Sequence, residues 1–304
     1  MKVSIAVCVF NEEKNLDDFF NSLRNQSYKD FDIVIVDDGS TDKTIEKIRS
    51  YINKLKIILI RLNHVGLREA RKVAVNKSKG EIIITFDADE IIDKDCIKNL
   101  LKEFEDKNVW AVGGRIKSYG DGLLIRGQSI IQDLSFNSRL RDSYWLSGGC
   151  IAYRREALKK IGGLSTGQIG EDVDASWKIK SLGKKIKLLD NAVCLHKDPK
   201  SFKKVFNREF NIGSRAKRLF FSHKKNLFDF RFLYRFTTVI FILLLFLSFR
   251  ISLIYFIITF FLFLFKARKL NYNLSDKVYA WFLLNIINIA WFSGFIKSIF
   301  KDKK

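Results

Sequence analysis

The sequence predicts an α/β fold, a doubly wound and mostly parallel sheet, followed by a helical region apolar enough for a membrane. Three observations carry this expectation. Short β-branched runs recur through the first 90 residues, helix-like segments separate them, and a terminal block rich in phenylalanine and leucine follows a strongly basic stretch. Strand alternating with helix is the pattern of parallel strands joined by crossover helices.

Residues 2–10 and 31–36 (FDIVIV) are unbroken apolar runs, as expected of strands covered on both faces, and residues 56–60 (KIILI) and 81–86 repeat the pattern. Between them, residues 15–25, 43–54 and 66–77 read as helices, with Thr41 or Asp42 placed to cap the second. The opening MKVSIAVCVF reads as the first strand, since the polar NEEKN follows at once and no small-residue cleavage site appears.

At 304 residues and 47% hydrophobic content the chain can bury a sizeable core. We expect a folded domain over residues 1–222, ending in a basic amphipathic helix, and a membrane-attached helical region over residues 223–304. The four cysteines, Cys8, Cys96, Cys150 and Cys194, form no CxxC pair, so the sequence indicates neither a zinc site nor a disulfide framework. A reduced cytosolic environment is the simpler reading.

Lysine and arginine total 54 against 33 acidic residues, a net charge of +21 that calls for an anionic partner. Residues 200–235 hold eleven basic residues against Glu209 and Asp229, interleaved with Phe202, Val205, Phe206 and Phe210 at near-helical spacing. That pattern predicts an amphipathic helix lying on an anionic membrane surface. Residues 236–265 are apolar apart from Arg250 and a few hydroxyls, which allows a hairpin turning at Arg250 or one long tilted helix. Residues 278–296 are long enough to span and include Asn285 and Asn288. Basic residues flank every one of these segments, which leaves the number of spans open.

In a doubly wound sheet, ligands collect outside the carboxyl ends of the strands. Three polar clusters fall there: Phe10, Asn11 and Glu12; then Asp37, Asp38, Gly39 and Ser40; then the DADE of Asp87, Ala88, Asp89 and Glu90. Two carboxylates at i and i+2 just past a strand can hold a hard divalent cation when a substrate diphosphate supplies further oxygens. Downstream, Ser147, Gly148 and Gly149 precede another strand, and Glu171 and Asp172 open a helix running through Trp177.

The segments VSIAVCVFNEEKNL, FDIVIVDDGSTDKT, GLREARKVAVNKSKGEIIITFDADE, SGGCIAYRREALKKIGGL and GEDVDASWKIKSLGKKI follow in order over roughly residues 1–200. Together they resemble the family 2 glycosyltransferases of the GT-A fold, which are nucleotide-diphospho-sugar transferases. The resemblance implies that Phe10, Asn11 and Glu12 border the nucleotide base and ribose, that Asp37 contacts the base, and that Asp38 and Gly39 shape the same pocket. It further implies that Asp87 approaches the ribose and that Ala88 lies against the donor. Asp89 would hold Mn2+ or Mg2+, with Asp87 and His196 as further ligands. Arg71 matches a family arginine expected at the nucleotide, while Lys72 stands where the family has asparagine. Gly148 and Gly149 would let backbone pass close to donor sugar and acceptor. At the acceptor-side acidic motif, beside Glu171, Asp172 would be the general base of a single inverting displacement.

After His196 the chain reads SFKKVFNREFNIGSRAKRLFF, without the motif of processive family members, so single transfer is expected. The implied donor is a nucleotide sugar, a UDP-sugar first and a GDP-sugar second. The apolar block implies an acceptor in the bilayer, a hydroxyl of a lipid-linked saccharide or, alternatively, polyprenyl phosphate, whose phosphates Lys204, Arg208, Arg215 or Lys217 could meet. The expected location is the cell membrane, with the catalytic domain in the cytoplasm. Two rival readings fare worse. A sugar-nucleotide pyrophosphorylase would carry a glycine-rich, arginine-containing loop after the first strand, where this chain has NEEKN. A membrane-tethered nucleic-acid-binding protein would spread basic and aromatic residues over the folded domain, whereas here they abut the apolar block, so nucleic acid is not an expected partner.

Overall fold

A computed structural model describes residues 1–141, 145–146, 148–165, 170–222, 240 and 249–301. It divides into two compact units. One comprises Met1–Lys117 and Phe136–Lys197, the other Ser118–Ser135 and Asp198–Lys304. This differs from the boundary expected at residue 222, because the basic helix belongs with the apolar helices that follow it.

In the first unit, β1 (Val3–Val9), β2 (Phe31–Asp37), β3 (Ile57–Arg61) and β4 (Ile82–Thr85) alternate with α1 (Leu16–Arg24), α2 (Thr44–Tyr51) and α3 (Leu67–Lys77). All seven residues of β1 are buried, which explains the absence of polar alternation in its sequence. The cap expected at Thr41 or Asp42 is supplied by Asp42, whose carboxylate accepts the Thr44 N–H at 2.9 Å and the Glu13 N–H at 3.2 Å. It thereby ties the loop after β1 to the start of α2.

Beyond β4 come β5 (Glu90–Ile92), α4 (Cys96–Lys102), β6 (Val109–Ser118), α5 (Leu123–Arg141), β7 (Ile151–Arg154), α6 (Arg155–Lys160), α7 (Glu171–Ser181) and β8 (Lys185–His196). The eight strands form one sheet in the order β3-β2-β1-β4-β7-β6-β8-β5. Parallel pairing joins β1 to β2 and β4, and β2 to β3. Antiparallel pairing joins β4 to β7, β6 to β7 and β5 to β8. The expected parallel sheet therefore holds through residue 85 and gives way to an antiparallel half. One apolar cluster contains Leu16, Phe19, Phe20 and Ile84, and a second contains Ala70, Ala74, Ile83 and Tyr153. The neighbours Ile83 and Ile84 point to opposite faces of β4 and so belong to different clusters.

Register places the site. Thr85, the last residue of β4, lies opposite Ile151, the first of β7, so Gly148 and Gly149 arrive beside the segment that follows β4. Glu90 lies opposite His196, which brings the end of β8 to the same place.

In the second unit, α8 (Phe202–Ser222), α9 (Phe249–Ala267) and α10 (Leu274–Lys301) accompany the amino-terminal part of α5. A β-carbon on Gly213 would come within 1.8 Å of the Trp291 carbonyl oxygen, and one on Gly294 within 2.0 Å of the Phe210 carbonyl oxygen. Helices α8 and α10 thus cross with backbone against backbone, a contact open only to residues without a side chain. The apolar residues of the basic helix divide, with Phe202 and Ile212 each 44% exposed. Val205 is buried with Leu283 and Ile287 of α10, while Lys203 and Lys204 are exposed. The Asn273 side chain accepts the Asp276 N–H at 2.8 Å at the start of α10, and buried Asp276 pairs with Arg126 at 2.9 Å.

Two stretches are long and apolar enough to cross a membrane, Arg250–Ala267 with mean hydropathy 1.9 and Leu274–Ile299 with 1.5. Most of residues 236–248 fall outside the described residues, and with them the choice between a hairpin and a single helix at Arg250.

Candidate active site

The site is built from loops that leave β1, β2, β3 and β4, joined by the segments entering β7 and α7 and leaving β8. After β1, Phe10 is 38% exposed and Asn11 takes a left-handed backbone conformation with φ 56°. The Asn11 N–H donates to Ser40 Oγ at 2.9 Å and its side-chain oxygen accepts the Thr41 N–H at 2.8 Å, so the loops after β1 and β2 hold each other. Burial pushes the Glu12 carboxyl above its ordinary range, and the charges of Asp89 and Asp87 push the same way. Glu12 therefore shares an electrostatic environment with the DAD segment, as facing strand ends require.

Asp37 and Asp38 are placed where the sequence puts them, but both are almost wholly buried. The Asp37 carboxylate accepts the Gly39 and Ser40 N–H groups at 3.2 Å and lies 3.4 Å from Arg61 Nε. The Asp38 carboxylate accepts the Val65 and Gly66 N–H groups at 2.7 and 2.9 Å. In this arrangement the pair fixes the two loops flanking the pocket. Gly39, with φ 82°, is needed because a β-carbon there would meet the His64 backbone N at 3.1 Å.

His64 is a residue that sequence reasoning missed. Its ring centroid lies 4.4 Å from that of Phe10, its Nδ1 is 3.2 Å from the Asp38 carbonyl oxygen, and its own φ is 50°. Asn11 and His64 are the non-glycine residues with positive φ among the described residues. Strained backbone of this kind persists where surrounding structure enforces it. No local motif marks His64, because its position depends on β2 lying between β1 and β3.

Past β4, Arg71 of α3 joins the two acidic motifs. Its guanidinium donates to Asp87 at 2.5 Å and to Glu171, and Arg68 lies 3.8 Å from the other oxygen of Glu171. Arg71 is thus turned toward the site as the sequence reading has it, with carboxylates as its partners. Ala88 is buried, while the Asp87 and Asp89 side chains remain about one third exposed. Asp89 Oδ2 is 3.3 Å from His196 Nε2. Half-exposed carboxylates beside an imidazole are a donor set suited to Mn2+ or Mg2+ when phosphate oxygens complete the shell. The chemistry of these residues therefore fits the expected ion.

Gly148 and Gly149 are close-packing positions, while Ser147 lies outside the described residues. A β-carbon on Gly149 would sit 2.8 Å from the Asp87 N and 2.7 Å from Glu90 Oε1, so only glycine lets this segment lie against the DAD loop. Gly148, with φ 102°, donates its N–H to Asp172 Oδ2 at 3.0 Å. The Val173 N–H donates to Asp172 Oδ1 at 2.8 Å. Asp172 nevertheless stays hard to ionise. Burial, reinforced by neighbouring Glu171, pushes its carboxyl up to about 6. A partly buried carboxyl with that value, on the first turn of a helix facing a glycine-lined opening, can take up a proton near neutral pH.

Proteins of known sequence and structure resemble this chain. Over 103 residues the chain is 36% identical to the poly(ribitol-phosphate) β-N-acetylglucosaminyltransferase TarS of Staphylococcus aureus, covering 33% of this chain and 18% of that one. Over 202 residues it is 25% identical to the poly-β-1,6-N-acetyl-D-glucosamine synthase of Staphylococcus epidermidis, covering 63% of this chain and 49% of that one. The chain therefore spans less than half the length of these relatives. Among solved structures, residues 1–349 of S. aureus TarS in complex with UDP-GlcNAc superpose with a TM-score of 0.53 at 23% identity, over 71% of this chain and 66% of that one. The mannosyltransferase PcManGT of Pyrobaculum calidifontis, in complex with GDP-Man and Mn2+, gives a TM-score of 0.70 at 19% identity, over 100% of this chain and 88% of that one. These two likenesses speak for the fold. The family model of glycosyl transferase family 2 matches residues 4–162, more than half of the chain, and the protein belongs to that family.

Proposed function

We propose that the protein is a glycosyltransferase moving one sugar, with inversion, from a nucleotide-diphospho-sugar to a hydroxyl of a lipid-linked saccharide at a membrane. The observation that carries this reading is Asp172, a carboxyl raised to about 6 and linked through the Glu171–Arg71–Asp87 chain of ion pairs to the DAD loop. That chain supports a reading in which Asp172 is the proton acceptor and the DAD loop binds the diphosphate.

In the proposed reaction Asp172 accepts the proton of the acceptor hydroxyl. The hydroxyl oxygen forms its bond to the anomeric carbon as the bond from that carbon to the diphosphate oxygen breaks, and the nucleoside diphosphate leaves. The N–H of Gly148 fixes one Asp172 oxygen and thereby the direction of the other. Asp89, His196 and Asp87 would hold Mn2+ or Mg2+, which neutralises charge on the diphosphate when bound. The exposed ring of Phe10, beside Asn11 and Glu12, would border the base and ribose. The donor complexes of the structural neighbours support a nucleotide sugar, with uridine or guanosine as the base.

Two apolar helices next to a basic one support an acceptor that lives in the bilayer and a catalytic domain on the cytoplasmic side. Single transfer is supported by the sequence after His196, which lacks the processive motif. The test is consumption of a panel of nucleotide sugars by full-length protein, with and without Mn2+ and a membrane lipid extract. The expected result is one donor consumed only with metal and its sugar recovered in the organic phase. Failure to bind or consume any nucleotide sugar would overturn the proposal.

A further inference from the structure

Three of the four cysteines, scattered through the sequence without metal-ligand spacing, meet in the core of the first unit. Cys96 opens α4, Cys150 immediately precedes β7, and Cys194 lies in β8. Each is at most 1% exposed. Cys96 Sγ is 3.7 Å from Cys150 Sγ and 3.9 Å from Cys194 Sγ, and all three sulfurs lie within 4.8 Å of one another. Metal–sulfur bonds of about 2.3 Å in a tetrahedral site put neighbouring sulfurs about 3.8 Å apart, so two of the three edges already have that length.

Buried thiols can also pack simply as small apolar groups. What sets this cluster apart is that three sulfurs converge at metal-site spacing, with a buried carboxyl in the same core although outside that group. Glu90 is 1% exposed, and its Oε1 is a buried oxygen with no hydrogen-bond partner. That oxygen lies 2.7 Å from where a β-carbon of Gly149, the residue before Cys150, would sit. Glu90 Oε2 accepts the Asp87 N–H at 3.1 Å. An unpartnered oxygen in an apolar core is costly, and a cation held next to it would offset that cost.

We propose that Cys96, Cys150 and Cys194 form a buried site for one thiophilic divalent cation such as zinc. Binding releases the three thiol protons to solvent and changes no oxidation state. The site differs in kind from the pair Asp89 and His196, because sulfur selects soft ions whereas carboxylate and phosphate oxygens select magnesium and manganese. Its consequence is mechanical. A cation here would tie α4, the entry to β7 and β8 together.

The test uses full-length protein purified in detergent with a reductant, incubated with Zn2+, and freed of loosely held ion over a weak chelating resin. Metal is then measured per chain. One equivalent of zinc is expected in the wild type, in Asp89→Ala and in Cys8→Ala, falling at least tenfold in Cys96→Ala and Cys194→Ala. Replacement by Co2+ should add sulfur-to-metal charge-transfer absorption in the same three proteins and in neither of the last two. Should the two alanine variants fail to fold, the wild type decides alone. Passed folded over the weak resin, it should keep one zinc per chain that a strong chelator or denaturant then releases in full, as a site built from three distant segments requires. No zinc kept by the folded wild type would overturn the proposal in favour of apolar packing. A mass two hydrogens lower, restored by reductant, would overturn it in favour of a disulfide.

Discussion

The two halves of the sheet solve the same problem differently. In the parallel half, each strand delivers its polar residues to the site directly from its own carboxyl end, as Phe10 to Glu12 follow β1 and Asp87 to Asp89 follow β4. In the antiparallel half, the contributing residues stand before a strand or helix or at a strand's last position, and reach the site through pairing with distant segments. Gly148 and Gly149 precede β7, Asp172 begins α7, and His196 ends β8. The parallel half shapes a pocket with buried, hydrogen-bonded carboxylates. The antiparallel half supplies Asp172, whose carboxyl burial raises to about 6 and to which the proposed reaction assigns the proton transfer.

That contrast can be broken most forcefully at Asp172. Exchange of its carboxylate in Asp172→Asn should lower kcat by about 10²–10⁴-fold while leaving nucleotide binding intact, as measured by initial rates and calorimetry. Near-normal turnover would point to an acceptor that is already ionised, a phosphate. The sign of the pH dependence follows from the raised pKa. Asp172 can take a proton only when ionised, so below about 6 the rate should fall tenfold per pH unit, and above that value it should level off. In the parallel half, Asp89→Ala should weaken metal-dependent donor binding by about 100-fold or more, which titration with and without Mn2+ would detect. Equal affinity in the two conditions would remove the metal from the reading.

A smaller effect is expected where the halves touch. Gly149→Ala should cost about 1–3 kcal/mol of stability by forcing a methyl group against Glu90 and the Asp87 amide, visible in denaturant unfolding. At the surface of α2, Lys47→Ala removes a pairing with Asp17 and should leave the denaturant midpoint nearly unchanged. A large effect there would show that surface charge, and not the sheet's interior, dominates the stability of this strongly basic chain.

The same contrast explains what could be read from the sequence. Because each is a local pattern and each candidate loop adjoins the strand that presents it, strands and helices through residue 85 fall within one residue of their expected ends, except that α2 stops at Tyr51, three residues short. Asp37 and Asp38 show the limit of that reading. Their motif places them at the pocket, but the hydrogen bonds that occupy their carboxylates come from residues on two different loops. Arg71 illustrates it again, since its partners Asp87 and Glu171 lie 16 and 100 residues away. The three cysteines carry no spacing signal because they come from α4, the entry to β7 and β8, which only sheet pairing brings together. The basic helix is legible as amphipathic, but amphipathicity names a face and not its partner, and Val205 on that face packs on α10.

The weave of the chain through its two units bears on any attempt to obtain the sheet without the apolar helices. Ser118–Ser135 leaves the first unit after β6, contributes to the second, and returns before β7. Ile130 in that excursion is buried among Phe263, Ala267, Ala280 and Trp281. A stop codon directly after β8 would therefore not release a finished soluble domain. It would leave a greasy stretch of α5 stranded in the middle of the retained polypeptide, and detergent or a redesigned α5 surface would be needed before such a fragment stayed in solution.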